Sequence, residues 1–224
     1  SVKPSLCDTD RTVPSAVTSR ESSHMARAKD KSNGSGLGIC KAGPSRSILA
    51  WTTPMPCSPL WVVPTINPDG TAADQRGNAN LVDLNRNFPY AWAPMGKPGY
   101  WQYAGPMRAS EPETKAVVAF MREIKPALGI WYHQDLNMIS PGEGLEGTMR
   151  NAYSRLTGIP IKRITGGRYT GVAATWQRNT IKNGMAFVVE LGKTLSVNEA
   201  KVHAAAVANI SMMLHEASSS KLGK

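Results

Sequence analysis

A chain of 224 residues, 41% hydrophobic and 7% aromatic, can bury the core of one globular domain and is not a disordered composition. Its net charge of +10 invites an anionic partner, but Lys and Arg are scattered and no nucleic-acid-binding motif accompanies them, so nucleic acid is not the expected partner. No apolar run approaches the about 20 residues a membrane span needs, and no charged-then-apolar signal segment opens the residues given.

Residues 1–59 hold one aromatic, Trp51, against fourteen in residues 60–224, so the two parts are read separately. The first is rich in Ser, Thr, Pro and Gly and shows no helical or strand period. It is expected to be an atypical, poorly ordered segment, with Ile48-Leu49-Ala50-Trp51 as its one apolar run. Its three cysteines, Cys7, Cys40 and Cys57, are odd in number and form no closed disulfide framework. They read as ordinary free thiols.

From Leu60 the texture changes. Leu60-Trp61-Val62-Val63 reads as a short buried strand. Asn67-Pro68-Asp69-Gly70 has the residues of a type I turn. Glu111 to Lys125 reads as an amphipathic helix, with Ser110 as N-cap, Glu113 closing a capping box and Pro112 in the first turn. Its expected apolar face is Ala116, Val117, Phe120, Met121 and Ile124. Leu128 to Tyr132 reads as a strand, Asn151 to Thr157 as a helix stopped near Gly158, Ala186 to Val189 as a buried strand, and Asn198 to Ala217 as a long alanine-rich helix. Strands alternating with helices predict an α/β fold with a mixed, mostly parallel sheet flanked by helices. The domain is expected over residues 60–217, with 218–224 as a tail.

Polar residues follow the predicted strands. Arg76 comes after the first, His133 after the second and Glu190 after the third. In open α/β sheets the ligand crevice lies beyond the carboxyl ends of the strands, so these groups are expected on one rim. Singly, each has an ordinary reading. His133 could be a satisfied rim residue, Glu190 could pair with Lys193, and Arg76, Asn85 and Arg86 could be turn or surface residues. Their joint order favours a site.

The string Val82-Asp83-Leu84-Asn85-Arg86-Asn87-Phe88-Pro89, with Asn67-Pro68-Asp69-Gly70 and Arg76 before it, resembles the core of the M14 zinc carboxypeptidases. The resemblance spans roughly residues 60 to 215. It implies a zinc-dependent metallocarboxypeptidase acting on a peptide with a free C-terminal carboxylate. On this resemblance His133 is the later zinc ligand, Glu190 the general base and Arg76 the arginine that polarises the scissile carbonyl. Asn85 and Arg86 are the carboxylate clamp, and Tyr169, ahead of Thr170-Gly171 and Trp176, is the mobile tyrosine. His203 and His215 in the last helix are expected to be structural or exposed, and Asp135 to be a neighbour of the site or solvated. The resemblance also implies a monomer in a secreted or periplasmic setting, and its wording looks closer to bacterial members, some of which cut cell-wall peptides.

One part of the pattern is missing. A catalytic zinc is usually held by three protein ligands, and the family's His-x-x-Glu should precede Asn67. The one earlier histidine is His24, with Arg27 three residues on. The family's first strands are thus missing or altered. Either the chain is a non-catalytic pseudoenzyme that binds peptide carboxylates, or residues 1–59 come largely from a shifted reading frame.

Overall fold

The computed structural model describes residues 59–222 and the backbone of 49–51. The chain divides into two units, Ser1–Pro64 and Thr65–Lys224. In the first, β1 (Leu49–Trp51) pairs antiparallel with β2 (Leu60–Val62), Leu49 opposite Val62 and Trp51 opposite Leu60. Leu49–Trp51 of the apolar run in the first part is therefore a strand, which the sequence reading did not assign. β2 itself is only half-buried, with Val62 exposed, and not the buried strand its composition suggests. The three cysteines and His24 lie outside the described residues.

The second unit opens with α1 (Pro68–Ala73). The expected turn is the start of this helix, because the Asn67 side chain accepts a hydrogen bond from Gly70 N–H at 2.9 Å and Pro68 fills the first turn. A single 3₁₀ turn covers Leu84–Arg86, capped by Asp83. Then come α2 (Pro112–Ile124), β3 (Leu128–Gln134), β4 (Met138–Ile139), α3 (Gly144–Thr157), α4 (Ala173–Thr180), β5 (Met185–Leu191) and α5 (Val197–Leu222). No helix among the described residues is long and apolar enough to cross a membrane.

The capping box before α2 does not form. Glu111 is the N-cap and makes no side-chain cap bond. Ser110 Oγ instead donates to Glu111 Oε1 at 2.6 Å and accepts from Asn87 Nδ2, while Glu113 accepts from Asn78 Nδ2. Tertiary partners outcompete the local cap. Of the expected apolar face, Met121 is buried and Val117, Phe120 and Ile124 pack against the same core, whereas Ala116 is exposed and Thr114 and Val118 are buried in addition.

The sheet has the order β3-β5-β4. β3 and β5 are parallel from Leu128↔Met185 to Gln134↔Leu191, and β4 is antiparallel to β5. This is the mixed, helix-flanked sheet expected of the sequence. On one face Ile139, Met149, Tyr153, Phe187, Val189 and Ile210 form a core with α3 and α5, joined by Leu128 and Ile130 of β3. Phe88, Val118, Met121, Trp176 and Ile181 form a second core with α2 and α4, joined by Trp131. Helix α3 starts seven residues earlier than its periodicity suggested because Glu146 and Arg150 are anchored inside, Glu146 accepting from Ala186 N–H and Arg150 donating to Ser140 O. His203 is structural. Its Nδ1 lies 2.7 Å from the buried Tyr153 hydroxyl, itself 2.9 Å from the Tyr132 hydroxyl, a chain that ties α5 to α3 and β3.

Candidate active site

Side chains alternate along a strand, so His133 lies on the Trp131 side of β3, away from Ile130. The parallel register sets His133 beside Glu190 of β5. Both residues sit inside the strands rather than after them, because each strand runs two residues past its apolar stretch. They share the face that carries Phe88 and Trp176.

The Asp83–Asn87 segment approaches from that face. Asp83 caps the 3₁₀ turn by accepting Asn85 N–H at Oδ1, and its Oδ2 accepts Arg76 Nε at 2.7 Å. Asn85 then bridges three elements. Its Oδ1 accepts Ala173 N–H of α4 at 2.9 Å, and its Nδ2 lies 3.4 Å from His133 Nε2. Arg86 is 3% exposed. It donates from Nη1 to Asn85 O at 2.8 Å, has the Tyr169 ring 5.4 Å from its Cζ, and keeps a buried Nε with no hydrogen-bond partner.

Tyr169 is placed by its neighbours. Phe88 N–H donates to Gly171 O at 3.0 Å, and Thr170 Oγ1 donates to Ala91 O. Gly171 has φ +54°, and a Cβ there would fall 2.3 Å from Arg86 O. Only glycine lets the two segments approach this closely. The structure thus brings together all six residues singled out in the sequence: Arg76, Asn85, Arg86, His133, Tyr169 and Glu190.

The electrostatics follow from burial and charge. Burial first, then Arg76 and Arg86, push His133 down to about 4, so its imidazole is neutral near pH 7. Burial raises the Glu190 carboxyl, and Asp135 raises it further against the opposing pull of Arg76. Arg86 is lowered mainly by burial, with Asp83 opposing. Asp83 is already bonded to Arg76, so two guanidinium groups share one carboxylate. Arg86 Nε is left buried without a partner, and a guanidinium short of acceptors is the group type that takes a carboxylate in two parallel bonds.

His133 is suited to metal ligation in its protonation state but not in its company. Among the described residues, no three His, Cys, Asp or Glu side chains lie close enough to share a metal ion. A catalytic zinc needs about three protein ligands, so the described residues do not make a zinc site on their own.

Sequence reasoning missed Asp83, although it stands two residues before Asn85, the spacing of an Asx cap. It also missed Asn87, fully buried, whose Nδ2 donates to Ala104 O, Met107 O and Ser110 Oγ and so shapes the loop above the site. The third omission, Trp101, packs its ring 5.3 Å from Arg76 Cζ, and nothing in the local sequence marks that partner.

Residues 58–149 match the family model described as zinc carboxypeptidase, Peptidase_M14. Over 89 residues the chain is 40% identical to murein peptide amidase A of Escherichia coli K12, covering 35% of this chain and 37% of that protein. Over 66 residues it is 38% identical to carboxypeptidase SOL1 of Arabidopsis thaliana, covering 30% of this chain and 12% of that protein. The crystal structure of murein-tripeptide amidase MpaA from Escherichia coli O157 is similar with a TM-score of 0.55 and 27% identity over 67% of each chain. Bovine thrombin-activatable fibrinolysis inhibitor, solved with tick carboxypeptidase inhibitor, shares the fold with a TM-score of 0.58 and 21% identity over 70% of each chain. In sequence the chain matches little more than a third of the length of murein peptide amidase A.

Proposed function

We propose, from the premise that the chain belongs to the M14 zinc carboxypeptidase family, that it hydrolyses a peptide bond close to a free carboxyl terminus. The observation that carries this reading is the buried Arg86 guanidinium with its unpartnered Nε, set beside Asn85 and under Tyr169. A planar guanidinium takes a carboxylate in two parallel bonds, and the Tyr169 hydroxyl and Asn85 amide add polar contacts to the same end of the ligand.

Arg76 addresses the bond to be cut. Asp83 holds its Nε, and its terminal nitrogens have no hydrogen-bond partner among the described residues. A fixed guanidinium beside the carbonyl oxygen favours the negative charge that develops there. Glu190 takes a proton from the attacking water and delivers it to the leaving amine. A carboxyl raised above its ordinary range by burial is suited to both transfers. His133 would be the one ligand that the described residues offer to the family's zinc. Three relatives are named murein peptide amidase A, so cell-wall peptides with a free carboxyl end are the first substrates to try.

The test is release of amine product from such peptides by the full chain supplied with zinc, read by chromatography. Release is expected, and Glu190→Gln should cut its rate by about 10²–10⁴-fold. Release that ignores this substitution would contradict the assignment. Tight binding without release would favour the second reading, a non-catalytic binder of peptide carboxylates.

A further inference from the structure

The loop above the arginines is built around Asp83. Asp83 N–H donates to Tyr103 O at 2.8 Å, Tyr103 N–H to Tyr100 O at 2.9 Å, and Tyr100 N–H to Lys97 O at 2.9 Å. The residue that holds Arg76 therefore also holds the turn that presents Trp101. Gly96 makes the turn possible. Its φ is +65°, and a Cβ there would fall 2.2 Å from Tyr100 Cδ1.

Trp101 is 60% exposed. Its ring packs 5.3 Å from Arg76 Cζ, and the Tyr100 ring lies 6.3 Å away at a tilt of 58°. An isolated exposed aromatic needs no explanation, but this one is fixed by backbone bonds to a site residue and adjoins the arginine that faces the bond. The aromatics partition along the site. Tyr169 covers Arg86, and Trp101 covers Arg76. A peptide whose carboxylate sits on Arg86 brings its next carbonyl to Arg76. On that reading, the side chain on the amino side of the bond would lie next to Arg76, where the exposed Trp101 ring packs.

We propose that Trp101, backed by Tyr100, is the specificity-determining wall of a subsite for an apolar or planar side chain on the amino side of the bond faced by Arg76. This rests on the carboxylate-directed reading above. Ring-on-ring packing adds discrimination beyond area burial, and the cation–π contact holds Arg76 in place at the same time.

Calorimetric titration of the full chain with N-acetyl-Phe-Ala and N-acetyl-Gly-Ala tests it. The phenylalanine peptide is expected to bind about fivefold more tightly, in line with the worth of an aromatic pair. Trp101→Ala should bring the ratio of the two affinities close to one, and Trp101→Phe should restore most of it. Circular dichroism checks that both variants fold, which the exposure of Trp101 favours. A preference that survives Trp101→Ala while both peptides still depend on Arg86 overturns this proposal alone. Failure of both peptides to bind the unaltered chain overturns the carboxylate reading and this proposal with it.

Discussion

Replacing Arg86 with lysine is expected to weaken binding of a carboxylate-terminated peptide by about 10- to 100-fold, the worth of one or two charge-assisted hydrogen bonds. Charge is conserved in this change, so the loss isolates geometry. The guanidinium is 3% exposed and fixed by Asn85 O and the Tyr169 ring, and its buried Nε has no partner. An ammonium reaches the same place as a point charge and cannot offer a planar pair of donors. It also gives up the stacking against Tyr169. The measurement is calorimetry on both proteins at one salt concentration, with thermal melting to confirm the fold. A change under about twofold would mean that Arg86 is a structural arginine.

Phe88→Ala is expected to cost about 3–5 kcal/mol of folding stability, as for other fully buried aromatic truncations. Phe88 is 0% exposed and lies between two indoles, edge-on to Trp131 at 5.8 Å and tilted against Trp176 at 5.4 Å. It therefore joins β3 to α4 at the centre of the second core. The same residue ends the segment that positions Asn85 and Arg86, and its N–H bonds Gly171. Peptide affinity should consequently fall together with stability. Urea titration of the two proteins reads the first effect, and a loss below about 1 kcal/mol would show that the pocket closes over the missing ring.

The parts of the fold that were legible are those where one periodicity dominates. The apolar runs at 128–132 and 186–189 read as strands, the second of them buried, and the alternation within them set His133 and Glu190 on one face once the register was known. The long helix expected over 198–217 was legible by composition, although it runs over Val197–Leu222 and takes in most of the expected tail, and the helix after Pro112 was legible by its apolar period and its first-turn proline. Short elements were not. Helix α1 has six residues and is made of turn-forming types, so its Asn67 cap looked like a turn. Helix α4 has eight residues, with Ala173, Ala174, Trp176 and Gln177 buried, too few turns to display a period. Strand β4 has two residues and is held by β5 rather than by its own propensity.

At the site, residues that face the ligand were legible because their types announce a chemistry: guanidinium, amide, imidazole, carboxylate. Residues that hold them were not. Asp83 and Asn87 act through bonds to residues from Arg76 to Ser110, and Trp101 acts through a loop whose path only the backbone reveals. The same holds for Ser110 and Glu113, where a good local cap yielded to buried asparagines. His24, the one earlier histidine, lies outside the described residues.

The most direct test of the account compares one peptide in two forms, with a free carboxyl end and with that end amidated, by calorimetry on the unaltered chain. The account predicts that the free acid binds and that amidation weakens it by about 10-fold or more, since the amide removes the charge that the buried Arg86 lacks. Equal affinity for the two forms, or no affinity for either, would contradict it.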